Sequence, residues 1–124
     1  MIRSADFSEE AEIDLLPVAI VRRPLESVIG DRAKIRRAYD DLDWFDGADV
    51  LFEGRTRFAL RHYDGHPPDT FTIYVDRAAE KDPGAVALLL RELDLSPDLL
   101  AWQNEGFARS ERRRQTGAGF GVFR

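Results

Sequence analysis

The chain has 124 residues, 44% of them apolar and 33% charged, with a formal net charge of -5. That length suffices for one domain that buries about two-thirds of its unfolded surface without staples, and the lack of cysteine excludes disulfides, thiolate metal sites and cysteine nucleophiles. The only lysines, Lys34 and Lys81, stand among other charges, so a desolvated Schiff-base lysine is not expected.

Residues 1–14 carry one arginine against five acids. Ser8 followed by Glu9, Glu10 and Glu12 suits a helix start, and Pro17 would stop such a helix within two turns. The apolar run 15–21 is far shorter than the roughly 18 residues of a membrane span. It also lacks the basic start and length of a secretory signal. No membrane partner is expected, and the cytoplasm is the expected setting. Residues 18–22 are β-branched and short, and predict a strand that joins the edge of the central sheet.

Pro24 is a good first helical residue because its missing N–H costs nothing there. Leu25, Val28, Ile29, Ile35, Tyr39 and Leu42 then recur at three- and four-residue spacing, broken by Gly30. This predicts either one kinked helix over 25–42 or a helix that begins at Asp31 as its cap.

The stretch 48–76 organises the chain. It reads as a three-stranded antiparallel meander, because alternate side chains of a strand share a face. Val50 and Phe52, then Phe58, Leu60 and His62, then Phe71, Ile73 and Val75 fall on one side. Arg57, Arg61, Tyr63, Thr70, Thr72, Tyr74 and Asp76 fall on the other, so one face is dry and one wet. Tyr63 opposite Thr70 aligns Leu60 with Ile73 and Phe58 with Val75. Phe52 opposite Phe58 and Val50 opposite Leu60 leaves a short turn around Gly54, which can take positive φ.

Asp82 and Pro83 form a cap and first-turn pair for a helix striped with Val86, Leu89, Leu90 and Leu93. Ser96 and Pro97 repeat that signal for a third helix over 97–104, ended by Gly106. The predicted class is therefore α+β, a three- to four-stranded antiparallel sheet with helices on one face, in the order (β)-α-β-β-β-α-α. The helix-break-helix end has the order of a helix-turn-helix unit. Its last helix carries no basic residue for phosphate contacts, and no nucleic-acid partner is expected.

Composition changes at Gly106: residues 106–124 hold five arginines against one glutamate. The expected organisation is one α+β domain over 1–105 and a basic, glycine-rich arm over 106–124. The arm is either a frayed terminus or a docking segment. In the second case Arg112, Arg113 and Arg114 meet an acidic surface while Phe120 helps add a strand to a sheet edge.

Three constellations could carry function. The wet face of the sheet, with Arg57, Arg61, Tyr63 and Tyr74, has the side chains enriched at protein interfaces. Asp40, Asp41, Asp43, Asp46 and Asp49 crowd around Trp44, Phe45 and Gly47, but their spacing is not that of a calcium loop, and a solvated acidic turn is the plainer reading. The predicted hairpin tip, 62–69, gathers His62, Asp64 and His66, which could bind a metal or transfer protons. Its Asp-Gly and Pro-Pro pairs are also ordinary turn chemistry. No nucleophile elbow or phosphate loop is present in the sequence, and no cofactor is expected. The leading expectation is a small acidic interaction protein that binds itself, as a homodimer, or another protein. The alternative is a metal-dependent or acid–base enzyme at residues 62–69.

Overall fold

Alternating apolar side chains between residues 44 and 76 build three long strands, and the rest of the sheet is laid on either side of them. The computed structural model describes residues 1–7, 14–77 and 84–104. Within them lie seven strands: β1 (Ile2–Ala5), β2 (Leu15–Val21), β3 (Arg36–Tyr39), β4 (Trp44–Phe52), β5 (Thr56–Tyr63), β6 (Phe71–Asp76) and β7 (Leu100–Gln103). They form one sheet in the order β1-β4-β5-β6-β2-β7, every pairing antiparallel. β3 also pairs β4 and follows β1 along the same edge, because β1 takes residues 49–52 of β4 and β3 takes 44–47. The class is α+β with a dominant sheet.

Two short helices, α1 (Leu25–Ile29) and α2 (Gly84–Glu92), lie on one face. Leu25, Val28 and Ile29 from α1 and Val86, Leu89 and Leu90 from α2 pack with Val50, Phe58, Leu60, Phe71, Ile73 and Val75. Phe58 and Leu60 are fully buried. Each such side chain contributes about 1.5–3 kcal/mol by leaving water, which makes this face the main source of stability.

The β5–β6 register agrees with expectation: Leu60 faces Ile73 and Phe58 faces Val75. The β4–β5 register is displaced by two residues from the expected one, with Val50 opposite Phe58 and Phe52 opposite Thr56. Apolar alternation is blind to a two-residue slip, since it keeps every side chain on its face. The turn decides it: Glu53 (φ 54) and Gly54 (φ 73) both take positive φ, and the Arg55 N–H bonds to the Phe52 carbonyl at 3.1 Å.

Three other expectations are corrected. Among the described residues the sheet has seven strands rather than three or four. The helix predicted over 25–42 ends at Ile29, where Gly30 takes positive φ (55°), and residues 36–39 form strand β3 instead. Tertiary pairing overrides the helical spacing there: β3 gains a full ladder against β4, from Arg36 opposite Gly47 to Tyr39 opposite Trp44. The helix predicted over 97–104 is one 3-10 turn, Pro97–Leu99, followed by β7. The strand expected around 18–22 is β2, which joins the central meander at β6 as expected and carries β7 on its other side. Pro17 is tolerated in β2 because the register shifts between Pro17 and Ala19. The helix start at Ser8, the Asp82–Pro83 cap and the arm over 106–124 lie outside the described residues.

Candidate interaction surface at the hairpin end of the sheet

Two turns meet at one end of the sheet. The β3–β4 turn is built by Asp40, whose Oδ1 accepts the Leu42 and Asp43 N–H groups at 3.0 Å each, while Asp41 takes positive φ (74°). The aspartate side chain replaces a backbone acceptor, which is why Asp recurs in such turns. The β5–β6 turn closes with the His66 N–H on the Tyr63 carbonyl at 3.1 Å, and Gly65 (φ 91) supplies the left-handed residue. The Asp64 N–H reaches the Trp44 carbonyl at 3.0 Å and holds the two turns side by side.

On the helix-bearing side of the sheet, large side chains at this end are exposed. Tyr39 and Trp44 face each other across β3 and β4 with ring centroids 5.2 Å apart. The Arg37 guanidinium lies 5.6 Å from the Trp44 ring centre and forks onto Asp64, Nη1 to Oδ1 at 3.2 Å and Nη2 to Oδ2 at 2.5 Å. Asp46 is a further partner of Arg37 at 3.4 Å. The hydrogen bonds from Arg37 hold the Asp64 carboxyl below its ordinary range. Tyr39 is 51% exposed, Trp44 48% and Leu42 88%. Half of the large exposed apolar side chains among the described residues, three of six, thus stand on this one hairpin.

The opposite face carries a half-buried polar network. Gly47 leaves room for the Phe45 ring, since a Cβ there would come within 2.9 Å of it. The Arg61 guanidinium then lies 4.2 Å from the Phe45 centroid and 5.8 Å from that of Tyr74. Arg61 Nη1 donates to the Tyr63 hydroxyl at 3.0 Å, whereas its Nε is buried without a hydrogen-bond partner. Burial pushes the Tyr63 hydroxyl up to about 12, with the hydrogen bond to Asp40 adding to burial and Arg61 opposing both. Burial alone would raise Asp40, but N–H donors from Asp43 and Leu42, the Tyr63 hydroxyl and the charge of Arg61 hold it below its ordinary value. Further along this face, Asp49 is 6% exposed and accepts from Arg36 Nη2 at 2.7 Å and from the Phe7 N–H at 2.9 Å.

Of the residues expected to bind, Arg61, Tyr63 and Tyr74 are brought together. Arg57 turns instead toward Asp76, at 3.7 Å, and the Phe7 ring, at 5.8 Å. Arg112, Arg113, Arg114 and Phe120 lie outside the described residues. The three groups expected at the hairpin tip diverge. His62 Nδ1 pairs with the Thr70 carbonyl at 2.9 Å, Asp64 is held by Arg37, and the exposed His66 lies beside the Tyr63 ring at 5.8 Å. No three histidine, aspartate or glutamate side chains among the described residues are grouped to hold a metal ion. The acidic run splits: Asp40, Asp41 and Asp43 shape the turn, while Asp46 and Asp49 point to opposite faces of β4 and pair with Arg37 and Arg36.

Sequence reasoning missed the surface formed by Arg37, Tyr39, Leu42 and Trp44, because Tyr39 and Leu42 sit at the spacing of a helical stripe. The signal that could have found it is Asp40-Asp41-Leu42-Asp43, a turn sequence between the arginine- and tyrosine-bearing segment 36–39 and the aromatic pair Trp44-Phe45. No family, curated protein or solved structure matches the chain. No helix among the described residues is long and apolar enough to cross a membrane.

Proposed function

We propose that this chain is a small acidic protein-binding module, with the cytoplasm as its expected setting, and that its binding surface is the hairpin end built by β3, β4 and the Asp64 turn. The observation that carries the reading is the joint exposure of Tyr39, Leu42 and Trp44 beside Arg37. Tryptophan, tyrosine and arginine are the residues most often found to dominate binding energy, and truncating one in a well-packed centre costs about 2 kcal/mol or more. A folded chain gains nothing by leaving three large apolar side chains together in water, while a partner that covers them gains about 25 cal/mol per Å². The polar rim of Arg37, Asp46 and Asp64 supplies directional contacts around that apolar centre. The Arg61, Tyr63 and Tyr74 network stiffens the same end from the opposite face.

The test is quantitative capture of binding partners by the full chain and by Tyr39→Ser and Trp44→Ser variants shown to be folded. Binding weakened thirtyfold or more by either substitution supports the reading. Partners bound equally by all three proteins would overturn it.

A further inference from the structure

From the free edge of β3 we infer that the partner is a second copy of this chain, and that two β3 strands pair antiparallel about a two-fold axis through Ala38. This names the occupant of the surface proposed above and rests on that reading.

The backbone sets the register. The Asp40 N–H points inward to the Asp43 carbonyl at 3.2 Å. Alternation then turns the backbone groups of Ala38 and Arg36 inward too, and those of Arg37 and Tyr39 outward. Among the described residues nothing pairs with that outer edge. A strand brought up to it must therefore bond to Arg37 and Tyr39. With a second β3 centred on Ala38, the outward groups of Arg37 meet those of Tyr39 in the other copy, and the same pair repeats across the axis.

The side chains agree with this register. On the helix-bearing side each Arg37 stands opposite an exposed Tyr39, so no like charges face each other there. On the other side each Arg36 stands opposite an Asp40, opposite charges in directly facing positions. Ala38 meets Ala38, the small residue that a close, non-hydrogen-bonded pair accommodates. The register that pairs Arg37 with itself would oppose like charges and is disfavoured. Charged side chains often protect an edge from pairing. Here Arg37 is drawn back over Trp44 and onto Asp64, and Arg36 onto Asp49, so neither blocks the edge. At the far edge of the sheet β7 is less suited: its register against β2 shifts between Ile20 and Val21, and such irregularities twist an edge away from pairing.

The test uses the absence of native cysteine. A non-hydrogen-bonded antiparallel pair holds its Cα atoms about 4.5 Å apart, within the range a disulfide spans. Mild oxidation of full-length Ala38→Cys should give a covalent dimer, while Ala101→Cys on β7 and Leu88→Cys on α2 stay monomeric. Sedimentation of the unmodified chain should show its mass rising with concentration from 14.1 kDa toward twice that value. Tyr39→Arg, which sets arginine against Arg37, should weaken association at least tenfold. A mass that stays monomeric at every concentration, or equal cross-linking at all three positions, would overturn the inference. A monomeric chain whose binding to another protein is lost in Trp44→Ser would overturn self-pairing and leave the interaction surface standing. A monomer whose binding ignores Trp44→Ser would overturn both.

Discussion

Arg37 and Asp64 share two hydrogen bonds, 3.2 and 2.5 Å, that reach across β4 and tie edge strand β3 to the end of β5. Both side chains are half exposed, so the pair orients the edge more than it stabilises the fold. Asp64 is held below its ordinary value in the folded chain by Arg37. Its contribution is therefore present above the unfolded carboxyl value of about 4 and is lost as pH falls through the lower folded one. The thermal midpoint of Arg37→Gln should lie slightly below that of the parent at neutral pH and converge with it in acid. A gap that persists at low pH would mean that Arg37 acts through packing on Trp44 instead.

Gly47 is required by its neighbour rather than by its own backbone. A methyl group at this position would meet the Phe45 ring at 2.9 Å and the Leu60 carbonyl at 3.2 Å. Gly47→Ala should therefore cost about 1–3 kcal/mol, the usual range for overpacking. Because Phe45 is the bed for Arg61, the near-ultraviolet circular dichroism should change along with the unfolding midpoint.

Asp49 is the buried acid of the polar face, and Asp49→Ala strips Arg36 and the Phe7 N–H of a shared acceptor. Hydrogen bonds to charged groups contribute about 1.5–3 kcal/mol, and a loss of about 2 kcal/mol is expected. Asp6, 3.3 Å from Arg36, relieves part of the unpaired charge. Chemical denaturation should show a lower midpoint with an unchanged slope.

Tyr63 ionises near 12 because burial and the Asp40 hydrogen bond oppose the phenolate more than Arg61 favours it. The folded value lies above the unfolded value of about 10, so this stability is complete below pH 10 and is lost as pH rises toward 12. An ultraviolet titration should show one late tyrosine step that disappears in Tyr63→Phe. Retention of that step in the variant would assign it to Tyr74, which burial also raises.

The dry face of β5 and β6 was legible because five long apolar residues alternate without interruption, and only one register keeps both Leu60 with Ile73 and Phe58 with Val75. Arg61, Tyr63 and Tyr74 were legible on the wet face for the same reason. β3 was not. Ile35, Tyr39 and Leu42 sit at helical spacing by coincidence, and residues 36–39 are held by a ladder to β4, across the turn, that periodicity cannot see. β7 was hidden likewise, since Ser96 and Pro97 are as good a start for one 3-10 turn as for a helix. The error cost most at the site, because a stripe read as helical concealed two of the exposed residues that define the surface.

Amide hydrogen exchange resolved across residues 36–39, in dilute and in concentrated solution, tests the β3 edge most directly. The Ala38 N–H points into β4 and should be protected at both concentrations, while those of Arg37 and Tyr39 should exchange freely when dilute and slow markedly when concentrated. Exchange of Arg37 and Tyr39 that does not change with concentration would contradict an interaction through this edge, and an unprotected Ala38 would contradict the strand itself.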